Sequence, residues 1–204
     1  MRIAVLAVQG AFIEQERKLE ALGASFVELR KKEDLDESYD GLILPGGEST
    51  VQGKLLRELG MLEPLRKQIE DGMPVLATCA GMILLAEETV NDERAYFKTM
   101  PITVRRNAYG RQLGSFHTEE MFKGIGKIPM TFIRAPYVEE IQASDEQEGN
   151  QVEVLAAVQG KTVAVRYQNQ LALAFHPELD EDDQIHRLFL QMVEEWKVKT
   201  LRNK

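Results

Sequence analysis

The sequence has very little cysteine: Cys79 is the only one in a chain of 204 residues. A single cysteine excludes an internal disulfide and suits a reducing compartment, so we expect a cytoplasmic protein. Basic residues are also in the minority, because 25 Lys and Arg stand against 33 Asp and Glu, for a net charge of −8. That balance argues against nucleic acid or an anionic membrane as the main partner.

Long apolar runs are missing as well. No stretch approaches the ~18 residues of a transmembrane helix, and the short apolar start at residues 3–8 lacks the layout of a signal peptide. Apart from His176 and Glu178, no His, Cys or acidic residues show a recognised metal-ligand spacing, so no metal site is expected. Length and composition are those of one globular domain, which we expect to span residues 1–204.

The stretch at residues 74–86 holds the only cysteine. Residues 75–77 read as the end of a buried strand, and residues 80–86 read as the start of a helix. Cys79 falls on the turn between them, which is the pattern of a nucleophile elbow with small neighbours on both sides. The N-terminus of the helix would favour a thiolate there. A buried core cysteine would give the same local pattern, so a histidine elsewhere must support the interpretation.

Strand and helix patterns alternate through the first half of the chain. Strands are predicted at residues 3–8, 25–29, 40–44 and 75–77, and helices at residues 12–22, 49–59 and 62–70. This alternation predicts an α/β fold of the flavodoxin-like kind: a three-layer α/β/α sandwich with a mostly parallel central sheet and helices on both faces.

The second half is richer in short strand-like runs. They lie at residues 100–104, 114–117, 130–133, 152–158, 162–166 and 171–175. The last two runs read as a hairpin, and the polar residues 144–151 read as an exposed loop. A C-terminal helix is predicted to start at the acidic residues 180–183, where carboxylates would complement the helix dipole.

His176 is the histidine best placed to support a nucleophile. Pro177 ends the apolar strand before it, and the carboxylate of Glu178 could hold the imidazole in the tautomer that accepts a thiol proton. A strand-end histidine beside a solvated glutamate would look the same. His117 lies in an apolar–polar alternation and His186 on a charged helix, so both are interpreted as structural or exposed.

A third feature is Pro45-Gly46-Gly47, which follows a predicted strand. Two glycines allow the backbone to turn sharply and present N–H groups to a ligand. Beside a nucleophile, such groups and the amide of Ala80 would form an oxyanion hole. A simple turn would also fit. The segment is not a P-loop, because no Lys-Ser/Thr follows at the required spacing.

Together these features resemble class I, triad-type glutamine amidotransferases and, more closely, the glutaminase-subunit family of pyridoxal 5'-phosphate synthases. The resemblance covers nearly the whole chain. It is carried by residues 44–50, Thr78-Cys79-Ala80-Gly81, Arg106-Asn107-Ala108-Tyr109-Gly110-Arg111-Gln112, Phe132-Ile133-Arg134-Ala135-Pro136 and Phe175-His176-Pro177-Glu178-Leu179. The chain departs from the family at Ala77, a usual glycine, and at His117, a common glutamate.

The resemblance implies that Cys79, His176 and Glu178 form a triad that hydrolyses L-glutamine to L-glutamate and ammonia. It implies an oxyanion hole from the amides of Gly47 and Ala80. The glutamine site that it implies is formed by Gly47, Glu48, Ser49, Arg106, Ile133 and Arg134, and a guanidinium is a natural partner for an α-carboxylate. It also implies no cofactor, and a separate synthase subunit that uses the ammonia to make pyridoxal 5'-phosphate.

Two other classes stay open from the residues alone. One is a different cysteine hydrolase or chaperone of similar fold, which would not need the Arg106 and Ile133-Arg134 motifs. The other is a non-catalytic flavodoxin-like regulatory module, which would need no Cys-His-Glu set.

Overall fold

The computed structural model describes residues 1–106, 114–142 and 151–202. Residues 144–150 of the predicted loop and most of the motif that begins at Arg106 lie outside these residues. The strands are β1 (Arg2–Leu6), β2 (Ser25–Leu29), β3 (Gly41–Leu44), β4 (Val75–Thr78), β5 (Ala86–Thr89), β6 (Met100–Arg105), β7 (Ser115–Phe122), β8 (Gly126–Ile133), β9 (Tyr137–Ile141), β10 (Glu153–Val158), β11 (Lys161–Tyr167) and β12 (Gln170–Leu173). The helices are α1 (Phe12–Ala21), α2 (Ser49–Glu58), α3 (Leu62–Glu70), α4 (Ala80–Leu85) and α5 (Gln184–Arg202), with short 3₁₀ helices at Lys32–Asp36 and Pro177–Leu179.

Five neighbouring strands form a parallel sheet in the order β2-β1-β3-β4-β12. Nearly every residue of β1, β3, β4 and β12 is buried, as expected of strands covered on both faces. The chain leaves β1 toward one edge through α1 and leaves β3 toward the other through α2 and α3, so right-handed crossovers place these helices on opposite faces. The predicted α/β fold with a mostly parallel sheet is confirmed.

The other half of the sheet is mainly antiparallel. β11 pairs antiparallel with β12, β10 and β9, and β9 pairs antiparallel with β6. The predicted hairpin is confirmed as β11 and β12. β7 and β8 form a separate two-stranded ribbon. The sequence predicted only the apolar ends of this ribbon and missed β9, because both carry runs of polar residues that hide the strand pattern.

Two helix ends differ from the prediction. The helix after Cys79 stops at Leu85, and Ala86 begins β5. The C-terminal helix does not start with the acidic residues 180–183: it begins at Gln184. The Asp182 carboxylate instead accepts a hydrogen bond from the Gln184 amide at 2.8 Å, so it caps the helix from outside. None of the helices within the described ranges is long and apolar enough to cross a membrane.

The parallel pairing of β4 with β12 positions the site. Thr78 lies opposite Leu173, so both strands end at the same edge of the sheet. Cys79 follows the first strand directly, and His176 follows the second by three residues. Ligands of open α/β sheets bind at this carboxyl edge.

Candidate active site

Cys79 occupies a strained turn between β4 and α4. Its backbone has φ 48° and ψ −100°, a conformation that residues with a side chain rarely adopt. Its amide donates to the Leu173 carbonyl oxygen at 2.7 Å, which fixes the turn to β12. A side chain at Gly81 would overlap the Leu44 carbonyl, so the turn requires glycine there. The local geometry is that of a nucleophile elbow.

His176 lies beside this turn and is itself held by a carboxylate. Its Nδ1 is 2.7 Å from Glu178 Oε1, and both side chains are almost fully buried. Burial by itself lowers the pKa of His176, but interactions with Cys79 and Glu178 outweigh it and raise that pKa to about 10. Because Nδ1 is engaged by Glu178, Nε2 is the ring nitrogen left for the proton of the thiol. A thiol, an imidazole and a carboxylate in this order can carry out nucleophilic acyl transfer.

A cavity of about 310 Å³ opens in front of the thiol. Nine of the ten predicted site residues line it: Gly47, Glu48, Ser49, Cys79, Ala80, Arg106, Ile133, Arg134 and His176. The tenth, Glu178, lies behind His176. The sequence analysis missed Ile83 and Pro136, which also line the cavity. Helical spacing could have identified Ile83, which lies one turn after Cys79.

The charged walls of the cavity are organised around Arg106. Its guanidinium is 2.8 Å from a Glu48 carboxylate oxygen and 3.2 Å from one of Asp92. Burial raises the pKa of Glu48, but hydrogen bonds from Thr50 and the charge of Arg106 hold it below its usual range. Two carboxylates therefore already neutralise Arg106. Among the described residues no carboxylate pairs with Arg134, so Arg134 is the cation better placed to meet an anionic ligand.

Ser49 adds a neutral polar group to the same wall. It is 2% exposed, and its hydroxyl has no hydrogen-bond partner within the described part of the chain. Buried hydroxyl groups are normally hydrogen-bonded. An unpartnered one that lines a cavity is suited to a ligand.

Gly46 and Gly47 form the loop that faces the imidazole. The Gly46 amide donates to Thr78 Oγ1 and its carbonyl accepts from the Ala11 amide, both at 2.9 Å. A side chain at Gly46 would overlap the His176 ring, so this close approach requires glycine. Because the carbonyl of the Gly46–Gly47 peptide points to Ala11, its N–H points the opposite way.

Thr131 on β8 fastens the segment that carries His176 and Glu178. Its carbonyl accepts from the His176 amide at 2.8 Å, and its hydroxyl donates to Asp180 Oδ1 at 2.7 Å. The exposed His117 places Nδ1 3.0 Å from the same hydroxyl. Asp180 is nearly buried, and its Oδ2 has no partner among the residues described. Thr131 therefore holds both ends of the short segment from His176 to Asp180.

Replacing Thr131 by Val should lower the free energy of unfolding by about 1–3 kcal/mol, because it leaves a buried carboxylate without its donor. Thr131→Ser keeps the hydroxyl and is the matched control. Chemical denaturation of both variants measures the effect. Equal stability of the Val and Ser variants would contradict the role of the hydroxyl.

Comparison with known proteins identifies the family. The SNO glutamine amidotransferase family model matches residues 5–195. The chain belongs to this family. Its relatives include the pyridoxal 5'-phosphate synthase subunit PdxT of Desulfitobacterium hafniense (strain Y51), 58% identical over 100% of this chain and 99% of that one. PdxT of Haemophilus influenzae (strain PittEE) is 51% identical over 94% of this chain and 98% of the other.

Solved structures agree with this SNO-family assignment. A glutamine amidotransferase crystal structure is 43% identical, with a TM-score of 0.85 over 94% of this chain and 98% of that one. PurLQS from Thermotoga maritima shares only 18% identity but has the same fold, with a TM-score of 0.63 over 96% of this chain and 98% of that chain. Membership of the SNO family decides against an unrelated cysteine hydrolase or a non-catalytic module.

Proposed function

We propose that this chain is the glutaminase subunit of a pyridoxal 5'-phosphate synthase and works in the cytoplasm as a single domain over residues 1–204. The observation that carries the proposal is the Cys79–His176–Glu178 constellation, which faces a polar cavity in a chain closely similar to PdxT subunits over its full length. No cofactor is needed for the proposed reaction.

The proposed reaction begins when His176 Nε2 holds the proton of the Cys79 thiol. The thiolate attacks the side-chain amide carbon of glutamine, and the amides of Gly47 and Ala80 stabilise the oxyanion. The imidazolium protonates the leaving nitrogen, ammonia departs, and a glutamyl thioester remains. Water, activated by the same imidazole, then attacks the thioester carbon and releases glutamate and the thiol.

The charged residues that line the cavity account for substrate recognition. Arg134 receives the α-carboxylate, and the Glu48 carboxylate, positioned by Arg106, faces the α-ammonium group. Ser49 supplies its unpartnered hydroxyl. Ile133 lies beside the nucleophile, since its carbonyl oxygen is 3.9 Å from Cys79 Sγ. The ammonia passes to a separate synthase subunit.

The purified chain alone should be a poor glutaminase that becomes active on binding the synthase subunit. Ala11 belongs to the segment 9–11 at the carboxyl edge of β1, and its amide holds the Gly46 carbonyl. A partner that contacts this segment therefore acts on the peptide that presents the Gly47 amide. Because one oxyanion donor contributes on the order of 10²–10³ in rate, activation of that order is expected.

Ammonia release at rising concentrations of the synthase subunit measures this activation. The control is the synthase subunit mixed with Cys79→Ala chain, which excludes contaminating glutaminase. Full activity without the partner would contradict activation by the synthase subunit and leave the triad standing. No glutamine hydrolysis with or without the partner would contradict the proposed function itself.

A further inference from the structure

A chain of buried polar side chains runs from helix α5 to the loop that carries Gly47. His186 Nε2 lies 2.8 Å from Gln15 Oε1, and Gln15 Nε2 lies 3.4 Å from Thr78 Oγ1. Thr78 Oγ1 accepts the hydrogen bond from the Gly46 amide. His186, Gln15 and Thr78 are each 0% exposed. This series of hydrogen bonds thus connects α1 and α5 to a turn that lines the catalytic cavity.

The donors and acceptors among His186, Gln15 and Thr78 follow from the chemistry of these side chains. Burial, with Lys18 nearby, lowers the pKa of His186 to about 4, so the imidazole is neutral and only one of its two nitrogens carries a hydrogen. Nε2 faces the Gln15 oxygen, which can only accept, so the hydrogen is assigned to Nε2. Nε2–H donates to the Gln15 oxygen, which leaves the Gln15 amide hydrogens for Thr78. Thr78 Oγ1 is then the acceptor for both Gln15 and Gly46.

Thr78 is also covalently next to Cys79. One side chain therefore links the backbone at the nucleophile to the Gly46–Gly47 peptide. Catalysis of acyl transfer requires the oxyanion donors to lie about 2.7–3.1 Å from the developing charge, so the separation between these two elements matters. The Ala11 amide anchors the other end of the same glycine, and Ala11 directly precedes α1, which carries Gln15.

We propose that Thr78 is a positioning residue for the oxyanion hole, and that Gln15 and His186 hold its hydroxyl group in place. The proposal rests on the glutaminase function proposed above. Thr78 does not touch the substrate. It sets the position of the Gly47 amide relative to Cys79, and α1 and α5 contribute to that position through Gln15 and His186.

The test compares variants in complex with the synthase subunit. Thr78→Val removes the acceptor and keeps the shape, and we expect kcat to fall about 10–10²-fold, since misplacement of a group by about 1 Å has effects of that size. The KM for glutamine should change little, because the substrate contacts remain. Thr78→Ser should restore kcat, since it restores the acceptor.

Gln15→Met should lower kcat by a smaller factor than Thr78→Val. If Thr78→Val does not fold, Gln15→Met provides the test instead. Its matched control is Gln170→Met, because Gln170 is also a buried glutamine. Gln170 bonds Thr99 at 2.7 Å and pairs with Val75 at the start of β4, the opposite end from Thr78. Gln170→Met should lower the melting temperature and leave kcat unchanged.

Alkylation of Cys79 by iodoacetamide separates the oxyanion hole from the nucleophile. This displacement forms a carbon–sulfur bond and releases iodide without an oxyanion. Its rate should be the same in wild type and Thr78→Val, while glutamine turnover falls. The proposal would be overturned if Thr78→Val lost alkylation rate and turnover in parallel, or if its kcat were that of the wild type. It would also be overturned if Gln15→Met and Gln170→Met lost kcat equally. Wild-type protein that hydrolyses no glutamine would instead overturn the proposed function on which it rests.

Discussion

Cys79→Ala should abolish glutamine hydrolysis while leaving the fold and glutamine binding intact. The thiolate is the nucleophile that attacks glutamine in the proposed reaction, and removing the attacking group from a triad lowers kcat by on the order of 10⁵–10⁶-fold. The cavity keeps its charged wall, because Glu48, Arg106 and Arg134 are untouched. Ammonia release measures the loss, and titration calorimetry with glutamine measures the retained binding. Ammonia release near the wild-type rate would refute the assignment of the nucleophile.

A second substitution at the same position tests the strained turn. Glycine adopts φ 48° without the penalty that alanine has there, so Cys79→Gly should be more stable than Cys79→Ala by about 1 kcal/mol after the larger unfolded-state entropy of glycine is included. Both variants should be inactive. Equal melting temperatures would show that the strain in the turn is no larger than the entropic cost of glycine.

His176→Ala should lower kcat by about 10²–10⁴-fold, the usual contribution of a general acid–base group. Glu178→Gln should lower it by a smaller factor, because the carboxylate orients the imidazole and stabilises its charged form but moves no proton. Steady-state rates of the two variants give the ranking. A Glu178→Gln variant less active than His176→Ala would contradict these roles.

Glu178→Gln should also lower the pKa of His176. Interactions with Cys79 and Glu178 raise the His176 pKa from 6.5 to about 10, so their stabilising effect is complete below pH 6.5 and is lost as pH rises through about 10. Glu178→Gln removes the charge of one of these two interacting groups, so the His176 pKa should fall. NMR titration of the labelled imidazole measures it. An unchanged pKa would contradict the contribution of Glu178.

The first half of the fold could be predicted because its strands are continuous apolar runs that alternate with amphipathic helices. The second half was harder, because β9 and much of the β7–β8 ribbon expose polar side chains. In β9 the residues from Glu139 to Ile141 are all exposed, so no two-residue alternation marks the strand. The start of α5 was misplaced because four consecutive acidic residues suit either a first turn or the cap before it.

The site could be predicted where single residues carry the chemistry. Cys79 is the only cysteine, Glu178 lies two residues after His176, and Gly46-Gly47 directly follow a predicted strand. Arg106 shows what the sequence does not reveal. From the sequence, its guanidinium is a candidate partner for the substrate carboxylate. In the structure, it already pairs with the carboxylates of Glu48 and Asp92. Asp92 lies in a turn with no motif. The contacts of Thr131 and Thr78 depend on tertiary packing that the spacing of residues does not reveal.

The parallel pairing of β4 with β12 has a consequence for how this site tolerates change during evolution. Cys79 and His176 extend from adjacent strands, whose separation of about 4.8 Å is a constant of hydrogen-bonded sheets. The long stretch of chain between them, from β5 to β11, can accept insertions and deletions without altering that separation. Changes of length in the loops of that stretch therefore leave the nucleophile and its base in place, provided that the segments that carry Arg106, Thr131, Ile133 and Arg134 keep their positions.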